Sequence, residues 1–295
     1  MLIRAGYDIA FTAESPTAVV AQLSIRPERA RDLVTPHRIE VSPDVPIYDY
    51  IDVFGNTCTR FTIPPGGLKL SCDFIIEDSG EPDPEPVQAE QHPVQELPID
   101  VMVYLLGSRY CEIDLLLDAA WSRFGDVPEG WARVQATVNF VHRHVEFGYK
   151  YADPRRGAWR AYQEQVGVCR DFAHLAVALC RCMNIPARYC TGYLGDIGVP
   201  PDDAPMDFSA WFQVWLGDAW HTFDARHNRP RIGRILMAVG RDATDIALTT
   251  TYGRTTLQHF AVHTDAVTES GHVPAAHTNE RGGRLTGGIP KLLIF

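Results

Sequence analysis

The stretch that decides the fold runs from Gly167 to Tyr193, G-V-C-R-D-F-A-H-L-A-V-A-L-C-R-C-M-N-I-P-A-R-Y-C-T-G-Y. Gly167-Val168-Cys169-Arg170-Asp171-Phe172 reads as a helix start, with Asp171 in the first turn where the helix dipole favours an acid. Leu175, Leu179 and Met183 carry the body, and Asn184 with Pro186 stops it before a strand from Ala187 to Tyr193. Cys169 sits where free N–H groups and about half a positive charge are aimed at its sulfur, and Arg170 adds to that field. This is how a cysteine nucleophile is prepared. A buried apolar thiol is the alternative; it suits Cys180, Cys182 and Cys190 better, and at Cys169 the two readings stand side by side. Cys180 and Cys182 lie two apart on the helix and diverge by some 200°, so they form no metal clamp.

Downstream, Ala210 to Leu216, Ala219 to Asp224, Ile235 to Val239 and Leu257 to Val262 read as further strands. Upstream the period is helical. Ile113, Leu116, Leu117, Ala120, Trp121 and Phe124 share one face, and Trp131, Val134, Val138 and Val141 mark a second helix ending near His144. The first third alternates with period two, most clearly at Leu68, Leu70, Cys72, Phe74 and Ile76, between Pro- and Gly-rich turns. A small antiparallel β-sandwich or barrel is its natural closure.

Between Glu77 and Asp100 there are eight acidic residues, five prolines and no Lys or Arg, a composition that cannot pack as a core. The expected organisation is an N-terminal β domain over 1–76, an acidic Pro-rich linker over 77–100, an α+β domain over 101–268, and a flexible Gly-rich tail over 269–295 unless its apolar end docks.

The chain has 295 residues and a net charge of −10 with a pI near 5.5. Its length is enough to bury about 75% of the unfolded surface. The negative balance argues against nucleic acid and anionic lipid as partners. No apolar run reaches the 18 or so residues of a membrane span, and the N-terminus lacks a signal-peptide core, so a cytoplasmic location is the default expectation. Seven cysteines without an export signal read as buried thiols, one of them a candidate reactive thiol, rather than as disulfides.

The run from Gly167 to Tyr193, together with S-A-W-F-Q-V-W-L-G-D-A-W-H-T-F-D from Ser209 to Asp224, resembles the bacterial transglutaminase-like superfamily of papain-like cysteine enzymes. The D-V-F-G-N turn at Asp52 to Asn56 looks like part of the β-rich domain that often precedes such members. The resemblance implies Cys169 as nucleophile and Asp224 as the orienting carboxylate. It also exposes a departure: Ser209 stands where the family has its catalytic His, and Gln213 where it usually has Glu.

Strand geometry tests which histidine can replace it. With Gly217-Asp218 at the centre of an even hairpin loop, Trp215 faces Trp220 and Val214 faces His221. Side chains 209, 211, 213, 220, 222 and 224 then share one face, Ser209 is a diagonal neighbour of Asp224, and His221 points the other way. His227, three residues beyond Asp224, can be turned toward the site by its loop. His174 is about 140° round the helix from Cys169 and reads as a core histidine.

The expected activity is thiol-dependent acyl chemistry on a peptide or amide bond by a cysteine protease or amidase, with hydrolysis ahead of cross-linking and Cys169, Asp224, Ser209 and His227 as site positions. No metal or organic cofactor is implied. Peptides, proteins or small amides are the expected substrates. The rival is a non-catalytic binding module that kept the fold but lost the base at position 209, and a redox-sensing thiol is a third reading.

Overall fold

The computed structural model describes residues 1–201 and 205–267. The expected tail over 269–295 lies outside the described residues. In chain order the elements are β1 (Leu2–Ala13), β2 (Thr17–Ala21), β3 (Glu40–Ser42), β4 (Tyr48–Ile51), β5 (Thr57–Ile63), β6 (Leu68–Glu77), α1 (Ile113–Phe124), α2 (Trp131–His144), β7 (Glu146–Phe147), α3 (Ala158–Glu164), β8 (Val166–Gly167), α4 (Cys169–Cys182), β9 (Ala187–Tyr193), β10 (Ser209–Leu216), β11 (Ala219–Phe223), β12 (Ile235–Gly240), β13 (Thr249–Tyr252) and β14 (Thr255–Ala266).

Two four-stranded antiparallel sheets, ordered β14-β1-β6-β3 and β13-β2-β5-β4, form the N-terminal β unit. Strict alternation builds it. Ile3, Ala5, Tyr7, Ile9 and Phe11 of β1 and Leu68, Leu70, Cys72, Phe74 and Ile76 of β6 all face inward. Gly67, at φ +123°, closes the β5–β6 turn where a Cβ would lie 2.2 Å from the Phe11 carbonyl oxygen.

The boundary at 268 is corrected by the ladders. β13 pairs with β2, and β14 runs along nearly the whole of β1, so residues 249–266 complete the N-terminal sheets instead of extending the α+β half. The pairing of Ile3 with Ala266 spans the chain, and local patterning carries no record of so distant a partner.

The α+β half packs α4 against α1, α2 and α3 on one side and against the antiparallel sheet β11-β10-β9-β12 on the other. Every residue of α4 is buried, and its four polar members, Arg170, Asp171, His174 and Arg181, are each held by polar partners. The hairpin has the expected register, Trp215 opposite Trp220 and Val214 opposite His221, around a two-residue turn with φ of +52° at Gly217 and +63° at Asp218. Helix α1 departs from expectation. Leu116, Ala120 and Phe124 are buried, but Leu117 and Trp121 are each 45% exposed, because α1 meets its neighbours along a narrower stripe.

The two units share one core in which Tyr193 of β9 meets Phe74 edge-on at 5.7 Å and Phe208 meets Tyr7 at 6.1 Å. A polar clasp reinforces it. The fully buried Asn56 accepts from the Val239 N–H at 2.9 Å and donates to the Val239 carbonyl at 2.8 Å, taking the place of a strand partner. The acidic segment 77–100 holds no α-helix and no strand beyond Glu77, only a turn and short 3-10 helices at Val94–Glu96 and from Ile99, but it is pinned. Asp83 N–H donates to the Arg231 carbonyl, the Ala89 carbonyl accepts from Trp131 N–H, and the Glu90 carbonyl accepts from Gly217 N–H. Among the described residues no helix is long and apolar enough to cross a membrane.

Candidate active site

Cys169 is the first residue of α4, after an extended Val168 and the short parallel pairing of Phe147 with Gly167. The Asp171 carboxylate accepts from the Val168 N–H at 2.9 Å and so caps the helix start. Gly167 is required there, since a Cβ would fall 2.6 Å from the Asp171 Cβ. Arg156 and Arg170 each hold Asp171 at 3.3 Å.

Arg170 does not serve the thiol as its place in the sequence suggests. Its side chain, 1% exposed, turns to the Asp153 carbonyl and Asp171, with the guanidinium carbon 5.5 Å from the Tyr110 ring centre. The cation that acts on Cys169 is Arg226, whose guanidinium lies 3.8 Å from the centre of the Phe147 ring. Cys169 is 4% exposed, and burial pushes its thiol up to about 11. The Arg226 charge and a hydrogen bond from the Ala210 backbone oppose that rise, while Asp207 and Asp171 add to it. At neutral pH a thiol held at about 11 rests protonated, burial outweighing the stabilisation offered at the helix start.

Asp224 directly follows β11. Its Oδ1 accepts from the N–H groups of Arg226 and His227, both at 3.0 Å, and Oδ2 accepts from His227 Nδ1 at 2.8 Å and Arg234 Nη2 at 2.9 Å. A carboxylate only accepts, so Nδ1 of His227 carries the proton and Nε2 is left as an acceptor. Burial alone would raise Asp224, but Arg234 and His227 outweigh it and hold the carboxyl well below the usual carboxylate range. Arg234 continues the row, its Nε donating to Asp83 Oδ2 at 2.8 Å and its guanidinium lying 4.9 Å from the Trp211 ring centre. The linker carboxylate thus reaches the site as the far end of His227–Asp224–Arg234–Asp83.

Ser209 opens β10 opposite Gly192, and its neighbour Ala210 supplies the backbone group that meets the Cys169 sulfur. Position 209 therefore borders the nucleophile position. Gln213 is tied elsewhere, its Oε1 accepting from Arg188 Nε at 2.9 Å and Nη2 at 2.6 Å. His221 bonds the Leu216 carbonyl on the opposite face of the hairpin at 3.0 Å. His174 is fully buried between Tyr110 and Tyr189, accepts from Ala243 N–H through Nε2 at 3.1 Å, and is pushed down to about 3 by that burial. It is a neutral core histidine.

Sequence reasoning missed Asp83, Asp207, Arg226 and Arg234. Asp207 Oδ1 accepts from the Phe208 N–H at 2.7 Å, whereas Oδ2 is buried without a hydrogen-bond partner, and burial raises this carboxyl to about 7 against the pull of Arg226. The available signal was the density of arginines after Asp224, at 226, 229, 231 and 234, in an acidic chain. Among the described residues no cluster of three or more His, Cys, Asp or Glu side chains is arranged to hold a metal ion.

Residues 122–225 match the family model of the transglutaminase-like superfamily core, a span that takes in Cys169, Ser209 and Asp224 and stops short of His227. This stretch of the chain is a transglutaminase-like core domain. The chain is similar to the crystal structure of a candidate cysteine protease from Cytophaga hutchinsonii, with 27% identity, a TM-score of 0.78 and 91% of each chain covered. An uncharacterised protein of Mycobacterium leprae is 26% identical over 256 residues, which are 83% of this chain and 90% of that one.

Proposed function

We propose that the protein carries out thiol-dependent acyl chemistry on peptide or amide bonds, with Cys169 as nucleophile and the His227–Asp224 pair as its base and orienting carboxylate. The observation that carries the reading is the 2.8 Å contact of His227 Nδ1 with Asp224 Oδ2, which leaves Nε2 free to take a proton in a chain whose position 209 is Ser. Because burial keeps the Cys169 thiol protonated, catalysis needs that base.

In this mechanism His227 Nε2 takes the thiol proton, the sulfur attacks the carbonyl carbon, and the developing oxyanion meets the Cys169 backbone N–H at the helix start. The imidazolium returns its proton to the leaving amine, a thioester forms, and water releases the acid. An amine in place of water would give transamidation, a less favoured outcome because water is always present. Asp224 orients the imidazole and offsets its charge.

The test is a fluorogenic peptide and amide library with thioester trapping on Cys169. Turnover or a trapped acyl-enzyme, lost in Cys169→Ser and in His227→Gln, supports the assignment. A trapped acyl-enzyme that forms equally well in His227→Gln removes His227 from it. The second reading, a binding module, is favoured by Ser209 and by the raised thiol, and acylation by no member of the library would favour it over the enzyme.

A further inference from the structure

Arg226 is held by contacts that leave its guanidinium donors unused. The guanidinium stacks on Phe147 at 3.8 Å, Phe147 pairs with Gly167, and Gly167 stands two residues before Cys169. The Arg226 carbonyl is fixed by His142 Nδ1 at 2.9 Å and its N–H by Asp224, so the backbone that presents the side chain is anchored from both sides. The half-buried or buried Arg156, Arg231, Arg234 and Arg241 each meet a carboxylate within ion-pair distance. Among the described residues Arg226 meets none, and none of its nitrogens is buried without a partner, so its fork opens onto accessible space beside the nucleophile position. In a chain of net charge −10, which repels anions in general, an unpaired planar cation at this point selects for them locally.

We propose that Arg226 is a carboxylate-binding, specificity-determining residue, and that the acyl donor carries a carboxylate beside its scissile amide. The proposal rests on the reading of Cys169 as the reacting thiol. The guanidinium is planar and presents paired donors that match a carboxylate in bidentate fashion, and stacking on Phe147 fixes its plane at little entropic cost. The carboxylate belongs either to a peptide terminus or to an acidic side chain. Asp207, the carboxyl whose charge reaches Arg226, is itself kept from full ionisation near neutral pH by its burial, so it competes weakly for the fork.

The test compares the rate at which Cys169 in the full chain is alkylated by iodoacetate with its rate for iodoacetamide at one pH, by peptide mapping, with the urea-unfolded chain as reference. The thiolate fraction cancels in this ratio. The expected result is an iodoacetate preference about tenfold above the reference in the wild type, reduced to the reference in Arg226→Gln, partly kept in Arg226→Lys, and lost in the wild type at 1 M salt. A folded wild-type ratio at or below the reference, with iodoacetamide labelling intact, overturns the proposal while leaving the thiol reading in place. No labelling by either reagent overturns both. Protection against iodoacetamide separates the two sources of carboxylate: N-acetylglycine represents a chain terminus, N-acetylaspartate α-methylamide an acidic side chain, and N-acetylglycine methylamide is the neutral control. Protection no better than the control from both acids overturns the proposal.

Discussion

His227 Nδ1 stands 2.8 Å from Asp224 Oδ2, within a turn that Asp224 itself builds by accepting the backbone N–H groups of residues 226 and 227. The same carboxylate thus shapes the loop and sets the imidazole tautomer. Arg234 and Asp83 extend the contact into a row of three alternating charges behind the imidazole, most of it shielded from solvent. Removing one member of such a row leaves a partner uncompensated.

Arg234→Met therefore strips Asp224 of its nearest buried cation. The expected cost is about 3–5 kcal/mol of stability, read by urea unfolding at neutral pH. Asp83→Asn is expected to be milder, because it keeps a hydrogen-bond acceptor for Arg234 and leaves the Asp224 contact intact. A cost for Arg234→Met below that of Asp83→Asn would show that Asp224 does not depend on this cation.

Asp207 gives a pH signature of known sign. Burial raises its carboxyl to about 7 from an unfolded value near 3.9, so the folded chain holds a proton there that the unfolded chain releases across that interval. The ionisation penalty is absent below pH 4, grows as pH rises through about 7, and is complete above it. Asp207→Asn should then leave stability unchanged at pH 4 and raise it at pH 8 by up to about 4 kcal/mol, seen as a shift of the urea midpoint. An equal shift at both pH values would mean that packing and not charge is responsible.

The Cys169 thiol supplies a second profile. With its folded value near 11, the alkylation rate should still be rising at pH 9 to 10, where an ordinary thiol has levelled off. Arg226→Gln removes a charge that favours the thiolate and moves the profile to higher pH, whereas Asp207→Asn removes one that disfavours it and moves the profile lower. Shifts in the same direction for both variants would contradict the placement of these two groups around the sulfur.

The residues that were legible in the sequence are those whose constraint is local. The alternation from Leu68 to Ile76 fixes a buried face of β6, and Gly217-Asp218 fixes the register of β10 and β11, because turn geometry and the two-residue period act over a few positions. The partner of β14 lies some 250 residues away and left no local trace. Arg170 shows why adjacency in sequence misleads. Successive helical side chains point about 100° apart, so the residue after Cys169 turns away to Asp153 and Asp171 while Arg226 arrives from another element. Asp83 was hidden for a different reason: an acidic Pro-rich segment has the composition of a solvated linker, and only the matching of its carboxylate to Arg234 reveals it as a strap.

Asn56 tests how far the two units depend on one another. Asn56→Ala leaves the N–H and carbonyl of Val239 buried without their side-chain partner, along with Arg26 Nη1, which Asn56 Oδ1 accepts at 2.8 Å. A loss of about 2–4 kcal/mol is expected, with one unfolding transition splitting into two if the clasp couples the units. A single transition with a loss below about 0.5 kcal/mol would mean that the shared apolar core suffices.

Ser209 and His227 compete for one function, and the geometry around Asp224 predicts how. Both carboxylate oxygens are occupied in the wild type, Oδ1 by two backbone N–H groups and Oδ2 by His227 and Arg234. A histidine introduced by Ser209→His finds no vacant acceptor and should change the rate of Cys169 acylation little. His227→Gln vacates a place on Oδ2 and should lower that rate by about 10²–10⁴-fold. In the double variant the new histidine, projecting from the strand whose next residue already bonds the sulfur, can take the vacated place, and part of the loss should be recovered. The comparison is read from single-turnover acylation of the three variants with one trapped acyl donor. Recovery in the double variant, with little gain from Ser209→His alone, assigns the base to whichever histidine holds Asp224. A large gain from Ser209→His in the presence of His227 would instead mean that His227 is a loop-capping residue and that the chain has lost its base.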